Sequence, residues 1–167
     1  LGDLKELEVL FLSGDCLTTD ILAKILQKSK SLKYFSMSSI QQSNSSQNLT
    51  NLNIQSKIES LGIYNTLKFE SNNKFFHNLL QSVSGTLKKL FLDGNESLTS
   101  EKCINLLDMF DKLECLSLRE TQIDRTILEK AIQLNRPIII DCIDCKQLNV
   151  KKFLKNKTVD TERKISE

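Results

Sequence analysis

Cys142 and Cys145 stand in C-x-x-C spacing, the one cysteine pattern in the chain suited to metal binding or to a dithiol–disulfide cycle. A zinc centre needs about four ligands within tetrahedral reach. There is no second C-x-x-C, and the single histidine, His77, is far away in sequence. The pair therefore reads as structural, with no metal and no cofactor expected. Cys115 is the best-placed reactive thiol, but a nucleophilic cysteine needs a base or a positive neighbour to hold its thiolate, and none is patterned beside it. Cys103 falls on an apolar helix stripe and behaves there as a small hydrophobe. His77 follows Phe76 with no Ser, Cys or carboxylate spaced to make it a general base. Gly2, Gly14, Gly62, Gly85 and Gly94 are scattered singly, so no glycine-rich loop cradles a phosphate. Lys151, Lys152, Lys155 and Lys157 form the one basic cluster, diluted by Asp160, Glu162 and Glu167, and read as a solvated helix face. No catalytic set is assembled, and no enzymatic activity is expected.

What would position these residues is a six-residue frame, Leu-x-x-Leu-x-Leu. Its clearest copies are Leu7/Leu10/Leu12, Leu87/Leu90/Leu92 and Leu113/Leu116/Leu118. Weaker copies are Leu32/Phe35/Met37, Ile58/Leu61/Ile63 and Pro137/Ile140/Cys142. First positions at 7, 32, 58, 87, 113 and 137 give steps of 25, 26, 29, 26 and 24. Alternation over six residues predicts a short strand with one buried face. Helical stripes follow at Leu22/Ile25/Leu26, at Phe76/Leu79/Leu80/Val83, at Cys103/Leu106/Leu107/Phe110 and at Leu128/Ala131/Ile132. Thr18, Ser71 or Asn72, Thr99 and Asp124 are the candidate N-caps, with Asp20 and Glu101 in first turns.

A frame of this kind at a period in the twenties is the signature of a leucine-rich repeat. Repeat length and the intervening helices resemble the ribonuclease-inhibitor-like class, including the cysteine-containing repeats of F-box substrate receptors. The resemblance covers about residues 4–154. It implies an α/β fold: a curved leucine-rich repeat solenoid with parallel strands on the concave face and helices on the convex face. Domain boundaries follow as 1–155 for six repeats and 156–167 for a polar tail. The resemblance also implies a turn position three residues past the frame that satisfies backbone groups. Cys145 and Asn95 stand there, with Asp15, Thr121 and Thr66 in other copies.

Some stretches depart from the pattern. Residues 41–56, rich in Ser, Asn and Gln, predict an irregular loop. Leu49/Leu52/Ile54 imitates the frame there, and Ile58/Leu61/Ile63 is preferred because it keeps the step near 26. Pro137 opens the last copy, where it can start a strand but not donate to a ladder. Leu148, Val150, Phe153 and Leu154 suit a short closing helix, and the tail after it a frayed end.

The strand face turned away from the helices is the candidate site. Frame positions 3, 5 and 7 place Val9, Phe11, Tyr34, Tyr64, Lys89, Phe91, Asp93, Arg119 and Asp141 there, with small residues such as Ser36, Gly62 and Ser117 between them. Aromatics and arginine are the types that anchor protein interfaces. Asp93 and Arg119 sit at matching positions on neighbouring strands, set to pair with each other rather than with a ligand.

Composition narrows the function classes. With 26% charged residues and a net charge of +2, the chain is neither a strong polyanion binder nor an acidic protein. No stretch approaches the roughly 18 apolar residues of a membrane helix, so no membrane insertion is expected. The N-terminus lacks the pattern of a signal peptide. Five cysteines, most of them placed by the frame or a helix face, suit reduced thiols. The Asn-x-Ser/Thr triplets at Asn44, Asn48, Asn95 and Asn156 are of a kind that arises by chance in so Asn- and Ser-rich a chain. An intracellular, cytoplasmic location is expected. So is a chain that is part of something longer, because Leu7 opens a frame with too few residues before it to form a cap.

These readings converge on a non-enzymatic scaffold or adaptor that docks a protein partner on the concave sheet, within a larger protein or assembly. The resemblance extends this to the substrate-receptor subunit of a ubiquitin ligase, which would need an F-box not visible here. The bias to Asn, Lys, Ile and Ser leaves a bacterial effector as an alternative. Nucleic-acid association through the C-terminal lysines is not expected, nor is a thiol or metal protein.

Overall fold

The structure is a computed structural model and describes residues 4–14, 18–39, 54–66 and 74–148. In chain order the elements are β1 (Val9–Ser13), α1 (Thr19–Lys28), β2 (Tyr34–Ser38), β3 (Ser60–Tyr64), α2 (Lys74–Val83), β4 (Lys89–Phe91), α3 (Ser100–Met109), β5 (Cys115–Ser117), α4 (Thr126–Gln133) and β6 (Ile139–Asp141). The six strands form one parallel sheet in sequence order. Parallel neighbours require a crossover between strands, and α1 to α4 supply it after β1, β3, β4 and β5.

Register follows the frame. Leu10, Phe35, Leu61, Leu90, Leu116 and Ile140 align across the sheet, each the fourth position of its copy. The strand therefore belongs to the Ile58/Leu61/Ile63 copy, with Leu61 and Ile63 inside it. Ile54 lies outside any strand, and Leu49 and Leu52 lie outside the described residues. So do most of the 41–56 loop, the caps at Ser71 or Asn72, Asp15, the closing helix beyond Leu148, and the polar tail.

Frame positions 1, 4 and 6 point to the helices. In the second to fifth copies they are buried to 1% exposure or less. Leu22 and Leu26 of α1, Phe76 and Leu79 of α2, and Cys103 and Leu107 of α3 close over them in one core. Burying each large apolar side chain contributes about 1.5–3 kcal/mol. The two outer strands are less covered. Leu7, Leu10 and Leu12 beside β1, and Ile138, Ile140 and Cys142 beside β6, are only partly buried against the core.

Helix α4 departs from expectation. Ile127 is its buried residue, Leu128 and Ala131 are half-buried, and Ile132 is 61% exposed. Asp124 still caps it by side chain: its Oδ1 accepts the Thr126 N–H at 2.9 Å and the Thr126 hydroxyl at 2.6 Å. Arg125 nevertheless takes the backbone N-cap place. The buried face therefore runs through 127 and 131, and Ile132 is rotated toward solvent. Thr18 and Thr99 occupy N-cap positions with extended backbone, but neither side chain makes a cap bond.

A second period lies just past the strands. The eighth frame position has positive φ in every copy: Gly14 at 134°, Ser39 at 55°, Asn65 at 46°, Gly94 at 72°, Glu120 at 57° and Asp144 at 59°. A left-handed residue turns the chain off the sheet at the same point each time. Its N–H stays in the ladder: Ser39, Asn65, Gly94 and Glu120 donate to the carbonyls of Tyr64, Asp93, Arg119 and Ile143.

Candidate interaction face

The strand side chains opposite the helices form rows set by the register. The first is Val9, Tyr34, Ser60, Lys89, Cys115 and Ile139; the second is Phe11, Ser36, Gly62, Phe91, Ser117 and Asp141. A third runs through Ser13, Ser38 and Tyr64 and continues, through the turn bonds, to Asp93, Arg119 and Ile143. All nine expected site residues thus share one face. Phe11 is 72% exposed and Val9 and Tyr34 45% each; Lys89 and Arg119 are exposed, while Tyr64, Phe91, Asp93 and Asp141 are half-buried. Ile139 and Ile143 add apolar surface on the β6 side.

Small residues decide how the rings lie. A Cβ on Gly62 would stand 2.6 Å from Tyr64 Cε2 and 3.0 Å from Ser36 Oγ. The Tyr64 ring therefore lies over Gly62 and buries it, and a β-carbon at 62 would oblige the ring to shift. Burial, with the Asp93 charge nearby, raises the Tyr64 phenol above its ordinary pKa.

The polar residues beside it are tied to one another, though not as the sequence suggested. Arg119 pairs with Asp141, through Nε at 2.8 Å and Nη2 at 2.5 Å to Oδ2, rather than with Asp93. Asp93 Oδ1 accepts the Ser117 hydroxyl at 2.6 Å and the Arg119 backbone N–H at 3.0 Å. Matching frame positions bring Arg119 near Asp93, but the backbone N–H and the Ser117 hydroxyl occupy that carboxylate first. The guanidinium then turns to the next strand and holds the Asp141 carboxyl below its ordinary pKa.

Behind the face, the turn position forms a buried polar ladder. Asn95 Nδ2 donates to the carbonyls of Ile63 at 2.7 Å and Leu92 at 2.8 Å, and its Oδ1 accepts the Thr66 N–H at 3.0 Å. Thr121 Oγ1 donates to Leu118 O at 2.6 Å, and the Cys145 thiol donates to the same carbonyl at 2.9 Å. Cys145 is thus a backbone ligand within the fold, at the position shared with Asn95 and Thr121. Asn95 is 1% exposed with its amide fully engaged, so its Asn-x-Ser triplet is closed to glycosylation in the folded chain. Burial pushes the Cys103 thiol up to about 12 and raises that of Cys142. Cys115 is half-buried on the open face. His77 is exposed on α2. Among the described residues no cluster of three or more His, Cys, Asp or Glu is placed to hold a metal, and no helix is long and apolar enough to cross a membrane. The C-terminal lysines lie outside the described residues.

Three features were missed in the sequence. At the second frame position Glu8, Lys33, Glu59, Lys88 and Glu114 alternate in sign across five strands. Lys33 pairs with Glu8 at 2.8 Å and Lys88 with Glu59 at 3.1 Å, and these carboxylates raise both lysines above their ordinary pKa. Stacking the copies in one column would have revealed it. Arg136 donates to the carbonyls of Leu107, Phe110, Asp111 and Leu113, satisfying the end of α3. Finally, an open cleft of about 810 Å³ runs along the turns at the carboxyl ends of the strands, lined by Asn65, Gly94, Glu96, Glu120, Asp144 and Lys146 among others.

No known family's sequence profile matches the chain, and no curated protein matches it.

Proposed function

We propose that the chain is a leucine-rich repeat solenoid of the ribonuclease-inhibitor-like type, acting as a non-enzymatic scaffold that docks a protein partner on its open sheet face. The supporting observation is the concentration of exposed apolar side chains there: Val9, Phe11 and Tyr34 at one side and Ile139 and Ile143 at the other. Between them the charged groups Asp93, Arg119 and Asp141 are already partnered, so a ligand can lie across the centre without having to neutralise them. Aromatic anchors flanked by satisfied polar groups are the composition of a protein interface. The described cysteines are free thiols, which favours a reducing, intracellular setting.

The test is a pull-down from native extract with the parent chain beside Phe11→Ala/Tyr34→Ala/Phe91→Ala, with folding of the variant verified by circular dichroism. A partner kept by the parent and lost by the folded variant supports the reading. A partner set unchanged by the variant moves the site off this face.

A further inference from the structure

Among the charged side chains in the three rows of the open face, Lys89 alone lacks a partner among the described residues. Arg119 is bonded to Asp141, and Asp93 to the Ser117 hydroxyl and the Arg119 N–H. Lys89 is exposed and forms no ion pair with any described residue. The nearby carboxylates of Glu59 and Glu114 act on Lys88 instead. Lys89 stands on β4, in the row that also holds Tyr34 of β2 and Ile139 of β6. Neighbouring strands lie about 4.8 Å apart, so Lys89 is about 10 Å from each of these residues. Tyr34 is 45% and Ile139 67% exposed. The row therefore reads apolar, basic, apolar at equal steps.

Width selects the conformation of a ligand. Successive rows are two residues apart along the strands, so the three rows make a band about 13 Å deep. Exposed apolar groups occur in every row: Tyr34 and Ile139 in the first, Phe11 in the second and Ile143 in the third. An extended segment is one chain wide and would cover a single row. An α-helix is about 10–12 Å across, and its pitch of about 5.4 Å is close to the strand spacing. Laid across the strands, it brings about one turn to each. Helix residues seven apart are about 10 Å apart, so i, i+7 and i+14 fall over Tyr34, Lys89 and Ile139.

We propose that the occupant of the open face is an amphipathic helix of a separate protein, laid across the strands, with a carboxylate at i+7 on Lys89 and apolar side chains at i and i+14. This rests on the reading of the face as a docking surface and adds the chemistry of what docks. Residues 40–53, 67–73 and 149–167 of this chain do not supply such a segment. None of them repeats apolar, acidic, apolar at seven-residue steps; 40–53 has no acidic residue and 149–155 carries three lysines. The helices of a second copy do not supply it either. Their exposed large apolar residues are Ile21 on α1 and Ile132 on α4, one to a helix.

The probe is a fluorescein-labelled helical peptide with capped ends, carrying leucine at i, i+3, i+11 and i+14 and glutamate at i+7 on an alanine–glutamine background. Anisotropy titration against the intact chain should show saturable binding, weakened about tenfold when that glutamate is replaced by lysine. Lys89→Glu, a change at an exposed side chain, should reverse the order, so that the variant prefers the lysine peptide. A peptide of the same composition with its leucines spread around the helix should not bind. Absence of binding up to about 1 mM, equal binding of the spread peptide, or a glutamate preference that survives Lys89→Glu each overturns the proposal. So does self-association of the chain lost in Phe11→Ala/Tyr34→Ala/Phe91→Ala, which would make a second copy the occupant. The pull-down separates this inference from the reading beneath it. A partner lost by the triple variant but kept by Lys89→Glu overturns the acid-bearing helix alone, whereas a partner kept by the triple variant overturns the docking face itself.

Discussion

Thr66 N–H donates to Asn95 Oδ1 at 3.0 Å across 29 residues of sequence, while the Asn95 amide reaches back to Ile63 O on the same neighbouring copy. One side chain thus stitches two successive turns together at a depth where water cannot substitute. Replacing Asn95 with Ala should strand the Thr66 N–H and two carbonyls in the interior. The expected loss is roughly 2–4 kcal/mol, read as a lower urea midpoint at unchanged slope.

The left-handed residue at the eighth position predicts opposite outcomes for two substitutions. Glu120, at φ 57°, carries a β-carbon where glycine is preferred, so Glu120→Gly should stabilise by about 1 kcal/mol. Gly94→Ala should destabilise, because φ is 72° and the new Cβ would run into the Asn65 side-chain oxygen. Thermal melts of the two variants beside the parent decide it.

Burial grades the cost of leucine truncation along one register row. Leu90 and Leu116 are fully buried, so either changed to Ala should cost roughly 2–5 kcal/mol. Leu10 in the same row is half-buried at the open edge and should cost clearly less. Equal losses at all three positions would contradict the graded packing.

Acid should destabilise the chain through Asp124 and Asp141. Both carboxyls are held below their ordinary pKa, Asp124 first by the Thr126 hydroxyl and Asp141 first by Arg119. A depressed folded pKa means that the stabilisation is complete above the unfolded value, about 3.9, and is lost as pH falls through the folded one. Melting temperature followed downward from pH 6 should fall below about pH 4, and less steeply in Asp124→Asn/Asp141→Asn.

Thiol reactivity should separate the cysteines. Cys103 is buried with its thiol pushed up to about 12, whereas Cys115 is half-buried on the open face. Near pH 8 an aromatic disulfide reagent should modify Cys115 in the folded chain and reach Cys103 only on unfolding. Loss of the fast phase in Cys115→Ser would verify the assignment.

Most of the fold was legible because each frame position has a single job. Positions 1, 4 and 6 build the core, so their spacing gave every strand and its register, and Asn95 and Cys145 disclosed the inner ladder by sharing one place. The choice of nine face residues followed from the same alternation. What escaped was decided by competition between neighbours. Asp93 and Arg119 are correctly placed to meet, yet a backbone N–H and the Ser117 hydroxyl claim the carboxylate, which frame position alone does not rank. Ile132 fits a helical stripe as well as Ile127 does, and only the start of α4 sets which one turns inward. The Glu8-to-Glu114 alternation was readable in one column but invisible along a single repeat.

The ring of Tyr64 laid over Gly62 has a practical side. The chain has two tyrosines and no tryptophan, and both tyrosines stand on the open face. Tyrosine emission from the unlabelled molecule therefore originates at its candidate docking surface alone. A tryptophan-free ligand settling there would change that emission directly, while one bound to the helices would leave it nearly untouched, so the protein carries its own reporter of which side is occupied.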